Sequence, residues 1–305
     1  MPSPFEEIIA ELGDSDQPLL SSTLAELSNL NPEELGLFER AWETVEPKRR
    51  QQIVSRLVKL AEDDFELNSD TIFKSCLKDQ NAEVRSKAIE GLWENEEPSL
   101  INPLIKLLEQ DSSEKVQAAA ATALGKFAML AEHKKLRSCH ESRICQALMR
   151  VIGDTSRPIE VKRHALEAVA PINFPEVEKA IREAYHSSDY KLRVSAIYAM
   201  GKSSNPSWLP ILIKEMSIAD AEMRYEAAGA CGELGEEDAV PHLIRLITDP
   251  DVEVQLTVIR ALGRIGSPEA KNCLEKCLDS SSEATQQAAE QAIYELEVGE
   301  EPPPF

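Results

Sequence analysis

Few residues in this chain could do chemistry, and they fall into two groups. Cys273 and Cys277 stand four apart, which puts both thiols on one helix face, where they could hold a metal. Leu243 and Ile247 occupy the same two positions in a repeated apolar pattern, so core packing is the simpler reading. The second group lies in "AEHKKLRSCHESRIC", where His133, Cys139, His140 and Cys145 match no zinc-finger spacing. From 133 to 143 four bases, Lys134, Lys135, Arg137 and Arg143, face one acid, Glu141. On an acidic chain that patch suits an anion or a carboxylate-rich partner, or else is a solvated insertion loop. There is no P-loop, GxSxG, HExxH or GxGxxG element, and the glycines of "GACGELG", at 229, 232 and 235, read as helix C-caps. No catalytic residue, metal ligand or cofactor site is assigned from these residues.

The elements that position them must be helices. Glycines number 12 and aromatics make up 5% of the chain, which leaves an all-β fold little turn chemistry, while Ala, Leu and Glu favour helix. A formal net charge of -21 repels phosphate backbones and anionic lipid, so nucleic acid and membrane are poor partners. The opening "MPSPFEEIIAEL" lacks a basic region before an apolar run, and no segment approaches the roughly 18 apolar residues of a membrane helix. Six scattered cysteines point to reduced thiols and a cytoplasmic protein.

One window resists reading alone. "DPDVEVQLTVIRALGRIG", 249 to 266, alternates like a strand in its middle, yet Asp249-Pro250 suits a helix start and "VIRALGRIG" a helix end. A repeat resolves it. The same register recurs in "NAEVRSKAIEGLW", "SEKVQAAAATALG", "PIEVKRHALEAVA", "DYKLRVSAIYAMG" and "DAEMRYEAAGACGELG", with a weaker copy in "SSEATQQAAEQAI". Anchoring each copy on the apolar residue before the Arg/Gln position gives Val84, Val116, Val161, Leu192, Met223, Val254 and Ala284. Three of the six steps are 31 residues and two more are 30 and 32, and apolar residues follow each anchor at +4, +5 and +7 or +8, which is helical spacing. A second amphipathic segment precedes each anchor. Each copy is therefore a helix A, a turn often carrying Asp, and a helix B, and only stacking of neighbouring pairs can build a core.

This 31-residue unit, with Asp before helix B and then Val-Arg/Gln, Ala and Leu-Gly, resembles HEAT repeats of the short bacterial type named after phycobilisome lyases. The resemblance covers about residues 66 to 297 and implies an all-α, right-handed α-solenoid of about nine helix pairs. It also implies a ladder of turn Asp and helix-B Arg six residues apart. Asp79 and Arg85 fit, whereas Gln117 and Gln255 replace the Arg after Asp111 and Asp249, so the ladder reads as incomplete and modest. Residues 1–65 read as divergent capping helix pairs without the anchor signature, and 298–305 as a disordered tail.

HEAT-like deoxyhypusine hydroxylases use several His-Glu pairs as iron ligands. Here His140-Glu141 stands by itself and His164 is followed by Ala165, so that constellation is missing. What remains is surface. In HEAT-like solenoids helix B lines the concave face, and the +2 and +6 positions are expected to point outward there. Val194, Tyr198, Tyr225 and Leu256 would then form an apolar stripe edged by Arg260 and Glu226. The reading is a non-catalytic interaction scaffold that binds a protein or peptide through Val194, Tyr198, Tyr225, Leu256 and Arg260. The other reading that the resemblance implies is an enzyme or enzyme accessory of the lyase or iron-dependent hydroxylase type.

Overall fold

A computed structural model describes residues 4–64 and 66–300. The chain divides into two compact units, Met1–Val151 and Ile152–Phe305. Eighteen α-helices and no strand are found among the described residues. In the first unit lie α1 (Pro4–Gly13), α2 (Ser21–Ala25), α3 (Pro32–Trp42), α4 (Pro47–Asp63), α5 (Asp70–Cys76), α6 (Ala82–Gly91), α7 (Ile101–Gln110), α8 (Glu114–Glu132) and most of α9 (Ser138–Gly153). The second holds α10 (Ile159–Val169), α11 (Pro175–Tyr185), α12 (Tyr190–Lys202), α13 (Leu209–Glu215), α14 (Ala221–Leu234), α15 (Val240–Arg245), α16 (Val252–Ile265), α17 (Pro268–Cys277) and α18 (Glu283–Glu300). Odd-numbered helices are the A members and even-numbered helices the B members of nine pairs. B helices stack on B helices, α4–α6–α8 in the first unit and α10–α12–α14–α16–α18 in the second. Each unit is thus a stretch of α-solenoid. α18 runs through Glu300, and the rest of the expected tail, 301–305, lies outside the described residues.

The anchors make the core. Val84, Val116, Val161 and Val254 are fully buried, and so are Ala88, Ala120, Ala165, Ala196, Ala227 and Val258 four residues on. Small residues at +4 let the B helices approach closely. The closest approaches are at +9 and +7. Gly201, Gly232 and Gly263 recur every 31 residues, and a Cβ built on them would come within 2.6 to 2.9 Å of Ala230, Ala261 and Ala292 on the next B helix. Gly232 is therefore a packing residue and not the C-cap expected of it. In the same "GACGELG", Gly235 is the C-cap, with φ of 71°, and Gly266 does the same for α16 with φ of 65°.

The same packing shifts the weak last copy by one residue. Ala284 is exposed, while Thr285, Ala289 and Ala292 are buried. Gln286 donates to the Ser280 carbonyl six residues back, just as Gln255 does to that of Asp249 and Gln117 to that of Asp111. The anchor is Thr285, so the 31-residue step holds to the end. Leu274, and not Cys273, then corresponds to Leu243, and it is the fully buried residue.

Two more expectations change. The strand-like window is helix α16, but its N-cap is Asp251, whose side chain accepts from Glu253 N and Val254 N. Asp249, read both as a cap and as a ladder acid, serves the ladder alone. There Arg224 grips Asp249 with two hydrogen bonds of 2.7 and 2.8 Å, and also donates to the carbonyls of Ile218 and Ala219 in its own turn. Arg85 grips Asp111 of the following pair in the same way, with two bonds of 2.7 Å. Each Arg thus bonds the next pair's acid, and its own turn only through carbonyls. Asp79 is taken by Arg50 at 2.7 Å and by Trp42 Nε1 at 2.7 Å. Arg50 lies on α4, so the first 65 residues do carry the register. Arg49 fills the anchor position and donates to the Leu12 carbonyl, and Ile53, Val54 and Leu57 follow at +4, +5 and +8. A charged anchor hid this copy.

Candidate functional site

At about 100° per residue the core arc of a B helix spans the anchor, +4, +8 and +5. Position +6 falls opposite its centre, and +2 falls on the flank beside a neighbouring helix. The structure follows this geometry. At +6, Glu90, Thr122, Tyr198, Arg260 and Gln291 are exposed, Tyr198 at 40%, and Glu167 is half-buried. At +2, Ser86 is buried, and Val194, Tyr225 and Leu256 are half-buried. The two columns are therefore unequal, and Leu256, expected to point away from the core, is a flank residue.

The +6 row across α10, α12, α14 and α16 reads Glu167, Tyr198, Gly229 and Arg260. Gly229 leaves a gap in that row. A Cβ there would meet only Thr257 Cγ2, at 3.6 Å. The gap is a hollow of about 250 Å³ lined by Tyr198, Lys202, Tyr225, Glu226, Thr257, Arg260 and Arg264, among others. It brings together three of the five residues expected to bind a partner, Tyr198, Tyr225 and Arg260. Val194 and Leu256 are not in its lining.

Polar groups around the hollow divide sharply by partner. Glu233 pairs with Lys202 at 2.9 Å and with Arg264. Lys202, Glu233 and Arg264 all stand at +10 with 31-residue spacing, a column that the sequence displays but that reading only to +8 misses. By contrast, among the described residues no hydrogen bond or ion pair reaches the Tyr198 or Tyr225 hydroxyl, the Glu226 carboxylate or the Arg260 guanidinium. Thr257 Oγ1 is buried and also without a partner.

The register explains where these groups meet. Ser195, at +3 of α12, donates to Glu167 at +6 of α10. The same relation sets Glu226 beside Tyr198 and Thr257 beside Gly229. Burial works against Glu167, yet hydrogen bonds from His164 and Ser195 outweigh it and hold its carboxyl below the usual range. Glu226 has no such donors. Burial first, then the charges of Glu167 and Glu222, push it up to about 7 against the pull of Arg163. Burial and then Glu167, Glu233 and Glu226 also raise the Tyr198 hydroxyl.

A second, wider hollow lies over Tyr185, Tyr190, Arg193 and Glu215. Its groups are already satisfied. Tyr185 donates to Glu215 at 2.6 Å, Tyr190 bonds Asp220 and Glu222, and Arg193 donates to the carbonyls of Ser187 and Ser188.

The basic set in the first unit is placed differently from expectation. The extra residues lengthen α8 and α9 rather than forming a long loop, and only 133–137 turn between them. Lys134, with φ of 58°, Lys135 and Arg137 are exposed in that turn, and Arg143 on α9 bonds Asn102 of α7. Cys145 is a core residue. Cys273 and Cys277 bond each other, and burial raises both thiols, Cys277 to about 11. Among the described residues no three His, Cys, Asp or Glu converge as a metal set. His164 on α10 sits 3.4 Å from Glu167, beside the +6 row.

Comparison with known proteins bears on the fold. No curated protein matches the chain. The complex of CpcE and CpcF of phycocyanin lyase from Nostoc sp. PCC7120 superposes with a TM-score of 0.55 at 16% identity, covering 92% of this chain and 97% of that one. Human deoxyhypusine hydroxylase in complex with glycerol aligns at 18% identity over 96% of each chain, with a TM-score of 0.38. An engineered protein aligns at 19% identity over 96% of this chain and 88% of that one, with a TM-score of 0.43. At such identities a likeness concerns fold alone. The model of HEAT repeats matches residues 69–151 and 209–293, more than half of the chain, and the chain belongs to the HEAT repeat family.

Proposed function

We propose that this protein is a non-catalytic scaffold that holds a protein or peptide against its B-helix face. The contact residues are Tyr198, Tyr225 and Arg260 around the Gly229 hollow, with Val194 and Leu256 on its flanks. One observation carries the reading: beside the outward row the hollow gathers the hydroxyls of two tyrosines, a carboxylate and a guanidinium that form no hydrogen bond or ion pair among the described residues. Unpaired polar groups beside aromatic surface are the composition of a binding patch. Lys134, Lys135, Arg137 and Arg143 are a lesser candidate, for an acidic partner of the first unit. The four N-terminal helices are read as the cap of that unit's stack. Six free thiols suit a reducing, cytoplasmic setting, and no helix among the described residues is long and apolar enough to cross a membrane.

The test is affinity capture from the native cell with wild type and the Tyr198→Ala/Tyr225→Ala double variant. The reading expects a protein that the wild type retains and the variant loses, with the melting temperature nearly unchanged. Equal capture by both contradicts it. The likeness to the phycocyanin lyase complex keeps an enzyme-accessory reading in view, but that likeness is one of fold. Stoichiometric iron or zinc in the purified protein would favour the enzyme.

A further inference from the structure

The Gly229 hollow also shows what kind of group it takes, and this inference rests on the B-helix face being the binding face. The hollow has two tyrosine rings, and the oxygens in it without a partner among the described residues are the carboxylate of Glu226 and the hydroxyls of Tyr198 and Tyr225, while Thr257 turns its Cγ2 toward Gly229. Oxygens that accept, set between aromatic faces, match a cation with several donors on an apolar stem. We propose that the Gly229 hollow receives a lysine side chain from a basic segment of a partner protein. The ammonium donates to Glu226, and its four-carbon stem lies against the rings of Tyr198 and Tyr225 and the Thr257 methyl.

The charges around Glu226 support a cation there. From α10 come Glu167 and Arg163, and Arg163 is already committed to Glu160 at 2.6 Å and Glu167 at 3.0 Å. From α14 itself comes Glu222, bonded to Tyr190. On α12, Lys202 is spent on Glu233 while its ammonium lies 5.7 Å from the Tyr198 ring centre. On α16, Arg264 is likewise spent on Glu233, and Arg260 is exposed. Because α14 lies between α12 and α16 in the stack, Arg260 faces the hollow from the side away from Tyr198. Glu226 is thus a half-buried carboxylate without a counter-ion among the described residues, beside acids that raise its proton affinity, and an incoming ammonium supplies what is missing. A basic segment also suits a chain of net charge -21, which steers cations toward it.

The experiment titrates the full chain with Ac-Gly-Ala-Lys-Ala-Gly-NH2 and with its Glu and Arg counterparts, following the Glu226 carboxyl and the tyrosine rings by NMR. The Lys peptide is expected to bind saturably, to lower the Glu226 pKa, and to bind about tenfold tighter at pH 8 than at pH 6, as an ammonium needs the ionised carboxylate. Glu226→Gln and Gly229→Leu should lose this binding, and Gly229→Leu has open space to fill, so it remains folded. Equal binding of the Arg peptide, preference for the Glu peptide, or binding that survives both substitutions overturns the lysine assignment. If a cellular partner is lost with the tyrosine double variant but kept with Glu226→Gln, the binding face stands and the lysine pocket falls. If neither variant loses it, both fall.

Discussion

Glu226 is where residue-level chemistry is most exposed to test. Its folded pKa of about 7 lies above the 4.5 of an ordinary glutamate, so the folded state holds the proton more tightly than the unfolded one. Stability from this group is therefore greatest below about 4.5 and falls as pH rises through 7. Glu226→Gln removes that dependence. Thermal melts should show the variant above wild type at pH 8 by about 2–4 °C, the shift that roughly 1 kcal/mol gives in a unit of this size, and level with it at pH 5. A gap equal at both pH values would mean that Glu226 is not a half-buried, uncompensated acid. The sequence shows Glu226 only as the edge of an apolar stripe. Its isolation depends on which neighbours are already taken, and pairing across helices has no signal in one chain read alone.

Among elements, the ladder decides how one pair holds the next. Arg224 and Asp249 are nearly sealed from solvent, with side chains 10% and 3% exposed, and they are joined by two bonds. Arg224→Ala leaves Asp249 buried without a counter-charge and should cost about 3–5 kcal/mol in chemical denaturation. Arg224→Gln should cost less, because Gln117 and Gln255 hold the same position by bonding the turn carbonyl. Equal losses would show that the carbonyl bond carries little. The sequence makes the helices and their 31-residue register legible down to the buried anchors. It misleads where a residue has two plausible uses. Asp249 before Pro250 fits both a cap and a ladder acid and is only the second, and Gly232 looks like a cap and is a contact with Ala261. It is silent where the anchor is polar, as at Arg49 and Thr285, since the pattern being sought is apolar.

At the scale of the whole molecule, the repeat gives every B helix the same outward row, and the proposed binding face rests on an irregularity in that row. Gly229 is such an irregularity, an absent side chain between Tyr198 and Arg260. The most direct measurement places a photo-crosslinking residue at Tyr198, on the B face, or at Lys179, exposed on A helix α11, and irradiates each inside the native cell. A discrete adduct from position 198, absent from position 179 and suppressed by Gly229→Leu, is the result this account predicts. Adducts from position 179 alone, or from position 198 with no response to Gly229→Leu, would contradict it.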